Sequence, residues 1–470
     1  MDREMFSQLH EATLHLLERV GVRVESPLAR KLCAEAGLRV EEAAQRVYLE
    51  ERQVQGALQS APRAFALYGR HGDEPPLLIG GEAVYVMAGG ASVRVYTLEG
   101  RYEPATWEHL RQFNTLLDAL PHIHVLLNQV DPQEEAGGNY YRRLAAEMFL
   151  GTAKPCCLQA GDAADLRAMI AMGVVLRGSP EALAAKPVFM TGSNAEPPLC
   201  IPAHAAEILI EAARAGVPVG LGDYVMMGST APITVAGALA QRNATQLMAL
   251  VLSQIARPGA PFYYAAESGS TDMRTLDPVM ANPHALQVLR GAVELGRAYG
   301  LPVMGLATTD AKLPDPQAAC QMTATFQLAV EAGAHLVQGP TSMMDQMMLS
   351  SFAQAIIDHD MVGYVLAAAR RLRVTEETLA LRAIEEVAQG GEYGALKFAM
   401  HPHTLEHLRA ETWQPLAFSS ETFAAWQGRG SPTVLARAEA AAKEILARHR
   451  PDPLDAERAE AIRRLAETAC

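Results

Sequence analysis

The side chains best suited to chemistry in this chain stand directly after a series of short apolar runs. They are mostly amides and carboxylates, with a few tyrosines among them. We single out as candidate substrate-binding residues Asp223, Tyr224, Tyr263, Glu267, Asp310, Lys312 and Gln338. No nucleophile with an adjacent base and no pair of histidines stands at these positions, which argues against hydrolysis by a Ser/His or Cys/His pair. We therefore assign no catalytic nucleophile, general acid or base, and no metal ligand.

Tyr263 and Glu267 form the most specific pair in this set. Side chains alternate along a strand, so these two should share one face while Phe262 and Tyr264 pack on the other. An aromatic face beside a carboxylate can hold a cation, and the ring contributes about 0.5–2 kcal/mol once the cation is desolvated. A core tyrosine with a satisfied hydroxyl is the alternative interpretation of Tyr263.

Two other motifs have the residue types of a metal or thiol site, but their context favours a structural role. His403 and His407 have the i, i+4 spacing of a zinc pair on a helix. These histidines and His401 follow the strand region and have no cysteine near them, so we expect a structural role. Cys156 and Cys157 are neighbours in a strand and must point to opposite faces, which predicts core packing.

Five segments that open with a proline and continue as a short apolar run reveal the elements that position these residues. Proline is tolerated at the first position of a strand, and a continuous apolar run is typical of a parallel strand buried on both faces. Three similar runs complete a set of eight: 84–90, 122–128, 154–158, 186–190, 217–221, 260–264, 301–305 and 335–339. Successive runs start roughly 31 to 43 residues apart, which predicts an α/β fold of the (β/α)8 TIM-barrel type. The alternative is an open doubly wound sheet, but no glycine-rich phosphate turn follows any run.

Length and composition indicate which regions surround the predicted barrel and which partners the charge of the chain disfavours. The 470 residues leave room for an N-terminal helical extension (1–75), the barrel (76–370) and a C-terminal helical region (371–470), with a small antiparallel flap near the first strand. A formal net charge of −13 argues against nucleic acid and anionic membranes as partners. No apolar run approaches the roughly 18 residues of a membrane span. Six cysteines are too few for a disulfide framework, so we expect a cytoplasmic, reduced protein.

Two longer stretches resemble the trimethylamine:corrinoid methyltransferase family, in its branch without pyrrolysine. The first covers residues 227–240 and continues through 254–261, and the second runs from 401 to 415. Shorter similarities extend the resemblance over nearly the whole chain, at residues 17–22, 272–275 and 309–318.

The resemblance implies a (β/α)8 barrel that transfers a methyl group from a quaternary amine such as glycine betaine to the Co(I) of a separate corrinoid protein. No tightly bound cofactor is expected, because the corrinoid (cobalamin) belongs to that partner. Tyr263 and Glu267 would hold the cation. The pocket around them would be shaped by Asp223, Tyr224, Asp310 and Gln338. Lys312 could meet a substrate carboxylate or pair only with Asp310 or Asp315.

The chain departs from the family pattern at three places. Bulky residues occupy 224–227, methionines are frequent over 338–348, and His359 and Asp360 replace an Asn-Glu pair. Each departure could reshape the substrate pocket.

Two other functions stay open at this point. The barrel could take its methyl group from methyltetrahydrofolate, with Asn128, Asn194 and Asp223 recognising a pterin ring. It could also bind quaternary amines or the corrinoid protein without turnover. Self-association into a homo-oligomer is left open as well.

Overall fold

The amino-terminal region mixes helices with short strands. The computed structural model describes residues 1–134, 137–389 and 394–467. The first elements are α1 (Arg3–His15), a π-helical turn (Leu16–Val20), β1 (Val22–Val24), α2 (Pro27–Glu35), β2 (Arg39–Glu41), β3 (Arg46–Tyr48), α3 (Glu51–Ser60), β4 (Phe65–Leu67) and β5 (Leu77–Ile79). The expectation of a wholly helical extension is therefore wrong in one respect. Strands of three residues are too short to show a period in the sequence.

A parallel sheet of seven strands lies at the centre of the molecule. The elements of this part are β6 (Tyr85–Met87), β7 (Arg94–Tyr96), β8 (Tyr102–Pro104), α4 (Trp107–Ala119), α5 (Tyr140–Gly151), β9 (Cys156–Gln159), α6 (Ala163–Arg177), α7 (Pro180–Ala185), β10 (Phe189–Asn194), β11 (Cys200–Ile201), α8 (Ala203–Ala215), β12 (Val219–Gly222), β13 (Val225–Met227), α9 (Val235–Ala256), β14 (Phe262–Ala265), β15 (Ser268–Thr271), β16 (Pro278–Val279), α10 (Pro283–Ala298), β17 (Val303–Leu306), α11 (Pro316–Ala332), β18 (Leu336–Gln338), β19 (Leu349–Ser351) and α12 (Phe352–Ala368). The sheet order is β6-β18-β17-β14-β12-β10-β9, and every pairing in it is parallel. Seven of the eight predicted runs are confirmed as strands.

The eighth run, residues 122–128, is not a regular strand. It makes one parallel bridge to each edge of the sheet, from Val125 to Met87 and from Leu126 to Cys156. The N–H groups of His124 and Val125 both donate to the Val86 carbonyl, at 2.9 and 3.1 Å. Two residues thus oppose one, the pattern of a β-bulge, and this local disruption explains why the ladder does not extend.

Side chains alternate between the two faces of the central sheet. Tyr263 belongs to an inner cluster that includes Met87 and Cys157, whereas Tyr264 and Cys156 belong to the outer cluster that the helices cover. This alternation was predicted for β14 and for the cysteine pair, and both predictions are confirmed. The hairpin formed by β4 and β5 contributes its apolar side chains to the inner cluster and so fills that face from one end.

Short accessory strands extend the loops after the central strands. β7 pairs antiparallel with β8 and parallel with β19, so the predicted flap over 91–96 is present as part of a three-stranded sheet. A second small sheet has the order β13-β15-β16, and β1 pairs with both β11 and β3. Of these additions, β7, β11, β13, β15 and β19 stand on segments that follow central strands, whereas β1 and β3 come from the amino-terminal region.

The carboxy-terminal region is helical, as expected. Its elements are α13 (Glu376–Leu379), α14 (Leu381–Ala388), a 3₁₀ helix (Gly394–Met400), α15 (Pro402–Glu411), α16 (Phe423–Gly428), α17 (Val434–Arg448) and α18 (Ala456–Glu467). α17 packs on α12 and α4, and α18 packs on α5 and α6, so the chain end returns to the helices around the sheet. Within the described residues no helix is long and apolar enough to cross a membrane.

Asp360 ties this returning segment to α12. Its buried carboxylate accepts hydrogen bonds from the backbone N–H groups of Leu416, Ala417 and Phe418, at 2.7–2.9 Å. Burial opposes ionisation, but the hydrogen bonds from His359 and the three N–H groups prevail and hold the pKa of Asp360 below its usual value. The sequence departure at this position therefore has a structural role and does not shape the cavity described below.

Replacing Asp360 with alanine should loosen the carboxy-terminal segment. Three buried N–H donors lose their acceptor, so we expect the free energy of unfolding to fall by about 2–4 kcal/mol. Urea titration would measure this change, and hydrogen exchange should show faster exchange at residues 416–418. Asp360→Asn retains one acceptor oxygen and should fall between the two proteins. Unchanged unfolding of Asp360→Ala would contradict the role assigned to the carboxylate.

Candidate functional site

A small cavity opens at the carboxyl ends of the central strands. Its volume is about 230 Å³, which suits a ligand much smaller than a drug molecule. The side chains and backbone that line it are those of Met87, Leu127, Tyr141, Cys157, Gln159, Ala160, Gly161, Gly192, Ser193, Asn194, His204, Gly222, Tyr224, Tyr263, Glu267, Met304 and Gln338. This end of a parallel sheet is where barrel enzymes place their active sites.

Tyr263 lies across two glycine positions on neighbouring strands. Its hydroxyl donates to the Thr191 carbonyl at 3.1 Å. A Cβ atom at Gly220 would stand 2.3 Å from the Tyr263 ring, and one at Gly192 would stand 2.6 Å from its hydroxyl. Glycine on β10 and β12 therefore creates the room in which the ring lies flat within the sheet's inner face.

Glu267 places a carboxyl group in the cavity with one oxygen left without a hydrogen-bond partner among the described residues. The side chain is 3% exposed, and its Oε2 atom has no hydrogen-bond partner within the described parts of the chain. Burial raises the pKa of Glu267 to about 7. Near neutral pH the group therefore exchanges between acid and carboxylate, and a bound cation would favour the carboxylate.

Two tyrosines stand close to this carboxyl group. Burial, followed by the charge of Glu267, raises the pKa of Tyr224. Burial raises the pKa of Tyr263 too, with further contributions from Cys157, Glu267 and Tyr224. Both rings line the cavity, so a ligand beside Glu267 would meet aromatic faces as well as a carboxylate.

Arg242 supports the site from the outer face of the sheet. This fully buried α9 residue donates to the Tyr264 hydroxyl (3.3 Å) and to the backbone carbonyls of Ala265 (2.6 Å) and Glu267 (3.3 Å). These bonds hold the chain as it leaves β14, which sets the position of the Glu267 side chain. Burial raises the pKa of the neighbouring Asp223 to about 6, while the charge of Arg242 acts in the opposite direction.

The structure brings together four of the seven predicted site residues. Tyr224, Tyr263, Glu267 and Gln338 all line the cavity. Strand alternation places Tyr263 on the inner face of β14, and Glu267 reaches the cavity from the two-residue link between β14 and β15. Tyr224 and Gln338 stand at the carboxyl ends of β12 and β18.

The other three predicted residues do not line the cavity. Asp223 is fully buried, and its oxygens have no hydrogen-bond partner among the described residues. Asp310 accepts hydrogen bonds from the N–H groups of Met280 and Ala281, at 2.9 and 3.0 Å, and so orders the loop before α10. Lys312 donates to the Asp310 carbonyl at 2.6 Å and lies 3.4 Å from the Asp345 carboxylate. Of the two alternatives left open for Lys312, the structure favours local pairing, though the carboxylate is that of Asp345 and not of Asp310 or Asp315.

Several lining residues were not chosen as amine-binding candidates. Gln159 and Asn194 stand at strand ends, the signal that located Gln338, and Asn194 was named only for the alternative in which a pterin ring binds. Tyr141 and His204 lie in the first turns of α5 and α8, where the loops that follow the strands enter helices. Cys157 is a lining thiol, and burial raises its pKa to about 12, which keeps it protonated at neutral pH.

The histidine motif lies away from this cavity. The His401 side chain accepts a hydrogen bond from the His403 N–H at the start of α15, and it lies 3.2 Å from Glu386. Over residues 1–134, 137–389 and 394–467, no three His, Cys, Asp or Glu side chains are grouped so that they could hold a metal ion.

The chain is similar to named methyltransferases along nearly its whole length. The family model described as trimethylamine methyltransferase (MTTB) matches residues 1–468. A trimethylamine methyltransferase MttB of Desulfitobacterium hafniense (strain DSM 10664 / DCB-2) is 30% identical over 471 aligned positions, which cover 99% of this chain and 92% of that relative. A glycine betaine methyltransferase of Desulfitobacterium hafniense (strain Y51) is 27% identical over 461 positions, covering 97% and 94%.

A solved structure shares the fold. The crystal structure of the Methanosarcina barkeri monomethylamine methyltransferase MtmB aligns with a TM-score of 0.54, covering 95% of this chain and 87% of that chain. Its sequence is 9% identical, so this likeness concerns the fold alone.

Fold and cavity define a parallel α/β protein with a small polar site at the carboxyl ends of its strands. Within that class, the chain belongs to the trimethylamine methyltransferase family.

Gly220→Ala should displace the Tyr263 ring. The added methyl group would overlap the ring, and overpacking of this kind costs about 1–3 kcal/mol. We expect a lower melting temperature and weaker binding of tetramethylammonium by calorimetry. The matched control is Gly56→Ala on α3, where no atom lies within 4 Å and alanine favours the helix. Equal behaviour of the two variants would contradict the proposed fit of Tyr263.

Glu267→Gln should change how stability depends on pH. The folded protein holds the Glu267 proton more tightly than the unfolded chain, whose carboxyl has its ordinary pKa of 4.5. The Glu267 side chain therefore contributes most favourably to the free energy of unfolding below pH 4.5, and this stabilising contribution is lost as pH rises through about 7. Glutamine cannot ionise, so the variant should gain a few degrees in melting temperature over the parent at about pH 8 and much less at about pH 5. Glu82→Gln, an exposed control, should show no such trend.

Proposed function

We propose that this protein transfers a methyl group from a quaternary amine to the Co(I) of a corrinoid protein. The observation that carries the proposal is the buried carboxyl group of Glu267, which lines the cavity with the rings of Tyr224 and Tyr263, while no described lysine or arginine lines it. A quaternary ammonium supplies the missing positive charge and fits against aromatic faces. The name of one relative, glycine betaine methyltransferase, supports a quaternary amine as substrate, and that of the other, trimethylamine methyltransferase, supports a methylated amine more generally.

The reaction requires little chemistry from the cavity itself. When a methyl group leaves a quaternary ammonium, the product is a neutral tertiary amine, so the leaving group needs no general acid. The lining thiol of Cys157 is protonated at neutral pH and is therefore a poor nucleophile. The corrinoid would supply the nucleophile, a Co(I) centre held by the partner. The residues of this chain would desolvate the cation and point one methyl group outward.

Three further assignments go with this proposal. We count the seven strands and the bridging segment at Val125 and Leu126 together as a (β/α)8 barrel, with regions 1–75, 76–370 and 371–470 as extension, barrel and carboxy-terminal helices. The single bridges to both sheet edges support this count. A cytoplasmic location is supported by the five cysteines among the described residues, all of which are free thiols.

Methyl transfer to free Co(I) cobalamin would test the activity. With a quaternary amine as donor, the absorbance of methylcobalamin should rise in the presence of the protein. Glu267→Gln removes the charge at nearly constant shape, and we expect kcat/KM to fall by about 10²-fold or more. Glu82→Gln should retain the parent rate. Tyr263→Phe keeps the ring face and should retain most of the activity.

The same assay separates the rival functions. If methylcobalamin formed with methyltetrahydrofolate as the donor but with no amine, the donor would be methyltetrahydrofolate and the quaternary-amine proposal would be wrong. Tight binding of a quaternary amine without transfer to cobalamin or to an authentic corrinoid protein would indicate a binding module.

A further inference from the structure

The lining of the cavity is unbalanced in charge. Glu267 is its only carboxylate, and among the described residues no lysine or arginine lines it. The other polar lining side chains include the neutral amides of Gln159, Asn194 and Gln338. His204 is the one imidazole, and it stands exposed at the start of α8.

Three cationic side chains that neighbour site residues in the chain or contact them are engaged elsewhere. The Arg242 guanidinium is bonded to backbone carbonyls and to the Tyr264 hydroxyl on the outer face of the sheet. Lys312 is bonded to the Asp310 carbonyl and paired with Asp345. Arg142, next to the lining residue Tyr141, is paired with Asp165 at 2.7 Å. None of them lines the cavity, so none is placed to receive an anionic group there.

This distribution bears on which quaternary amines can bind. In glycine betaine a single methylene separates the nitrogen from the carboxylate. If the ammonium lay against Glu267 and the tyrosine rings, the substrate carboxylate would share a cavity of about 230 Å³ with Glu267. Two carboxylates would then be held close together with no lysine or arginine among the described lining residues, or Glu267 would have to take up a proton and give up its attraction for the ammonium; either cost disfavours the betaine.

We infer that the site selects ammonium compounds of net positive charge, with no acidic group next to the nitrogen, over short zwitterionic betaines. Tetramethylammonium and choline are examples of the favoured class. The inference rests on the proposed function for the identity of the site, and it adds the charge of the substrate.

Calorimetry with tetramethylammonium chloride, choline chloride and glycine betaine would test the inference. The parent protein should bind both monocations with a Kd at least about tenfold lower than that of glycine betaine. Glu267→Gln should weaken tetramethylammonium binding by about tenfold or more while glycine betaine binding stays equal or improves, since the repulsion is removed. Glu82→Gln should behave as the parent, and circular dichroism would verify that each variant is folded.

The outcomes separate this inference from the proposed function. Glycine betaine that binds as tightly as tetramethylammonium, or that donates its methyl group faster than choline, would overturn the charge selection and leave the methyl transfer standing. Preferred binding of the monocations without methyl transfer to a corrinoid protein would support the charge selection and count against the proposed activity. Absence of binding by all three compounds would overturn both.

Discussion

The burial of one unpaired carboxyl group, that of Glu267, is the constraint to which the rest of the site responds. A buried ionised carboxylate is costly unless a cation or several donors balance it, and burial accordingly raises its pKa to about 7. The surrounding structure relieves only part of this cost, because a backbone hydrogen bond and the charge of Arg242 favour the carboxylate but do not outweigh burial. A cationic ligand in the cavity would relieve more of it, so the cost of burying Glu267 favours binding of a cation.

The fold accommodates this buried carboxyl group in a small site. Seven parallel strands end at one edge, and glycines on β10 and β12 leave room for the Tyr263 ring. The hydroxyl of Tyr263, which lines the cavity, already donates to a backbone carbonyl of β10. A cation held here loses its water on all the sides that protein covers, which strengthens its attraction to ring and carboxylate.

Sequence reasoning succeeded where local pattern and tertiary environment agree. Proline-led apolar runs predicted seven strands because a strand buried on both faces must be apolar throughout. The two-residue period put Tyr263 and Glu267 on one side of the sheet, and both do line the cavity, although Glu267 lies just beyond the end of β14. The prediction of a regular strand failed at 122–128, where a bulge at His124 interrupts pairing. Asp310, predicted to shape the pocket, instead uses its carboxylate to order the loop at Met280 and Ala281. A polar residue at a strand end looks the same in sequence whether it serves a ligand or a neighbouring loop.

The sequence by itself thus determined the parallel α/β architecture, the edge of the sheet at which to look, and the family. Those features depend on periodicity and on long motifs, both of which are properties of contiguous residues. Only the tertiary structure decided which polar groups meet: it placed Tyr141 and His204 in the cavity, turned Lys312 toward Asp345, and left Glu267 without a cation. Such choices depend on distances between residues far apart in the chain, and these distances are set by how the helices and loops pack around the sheet.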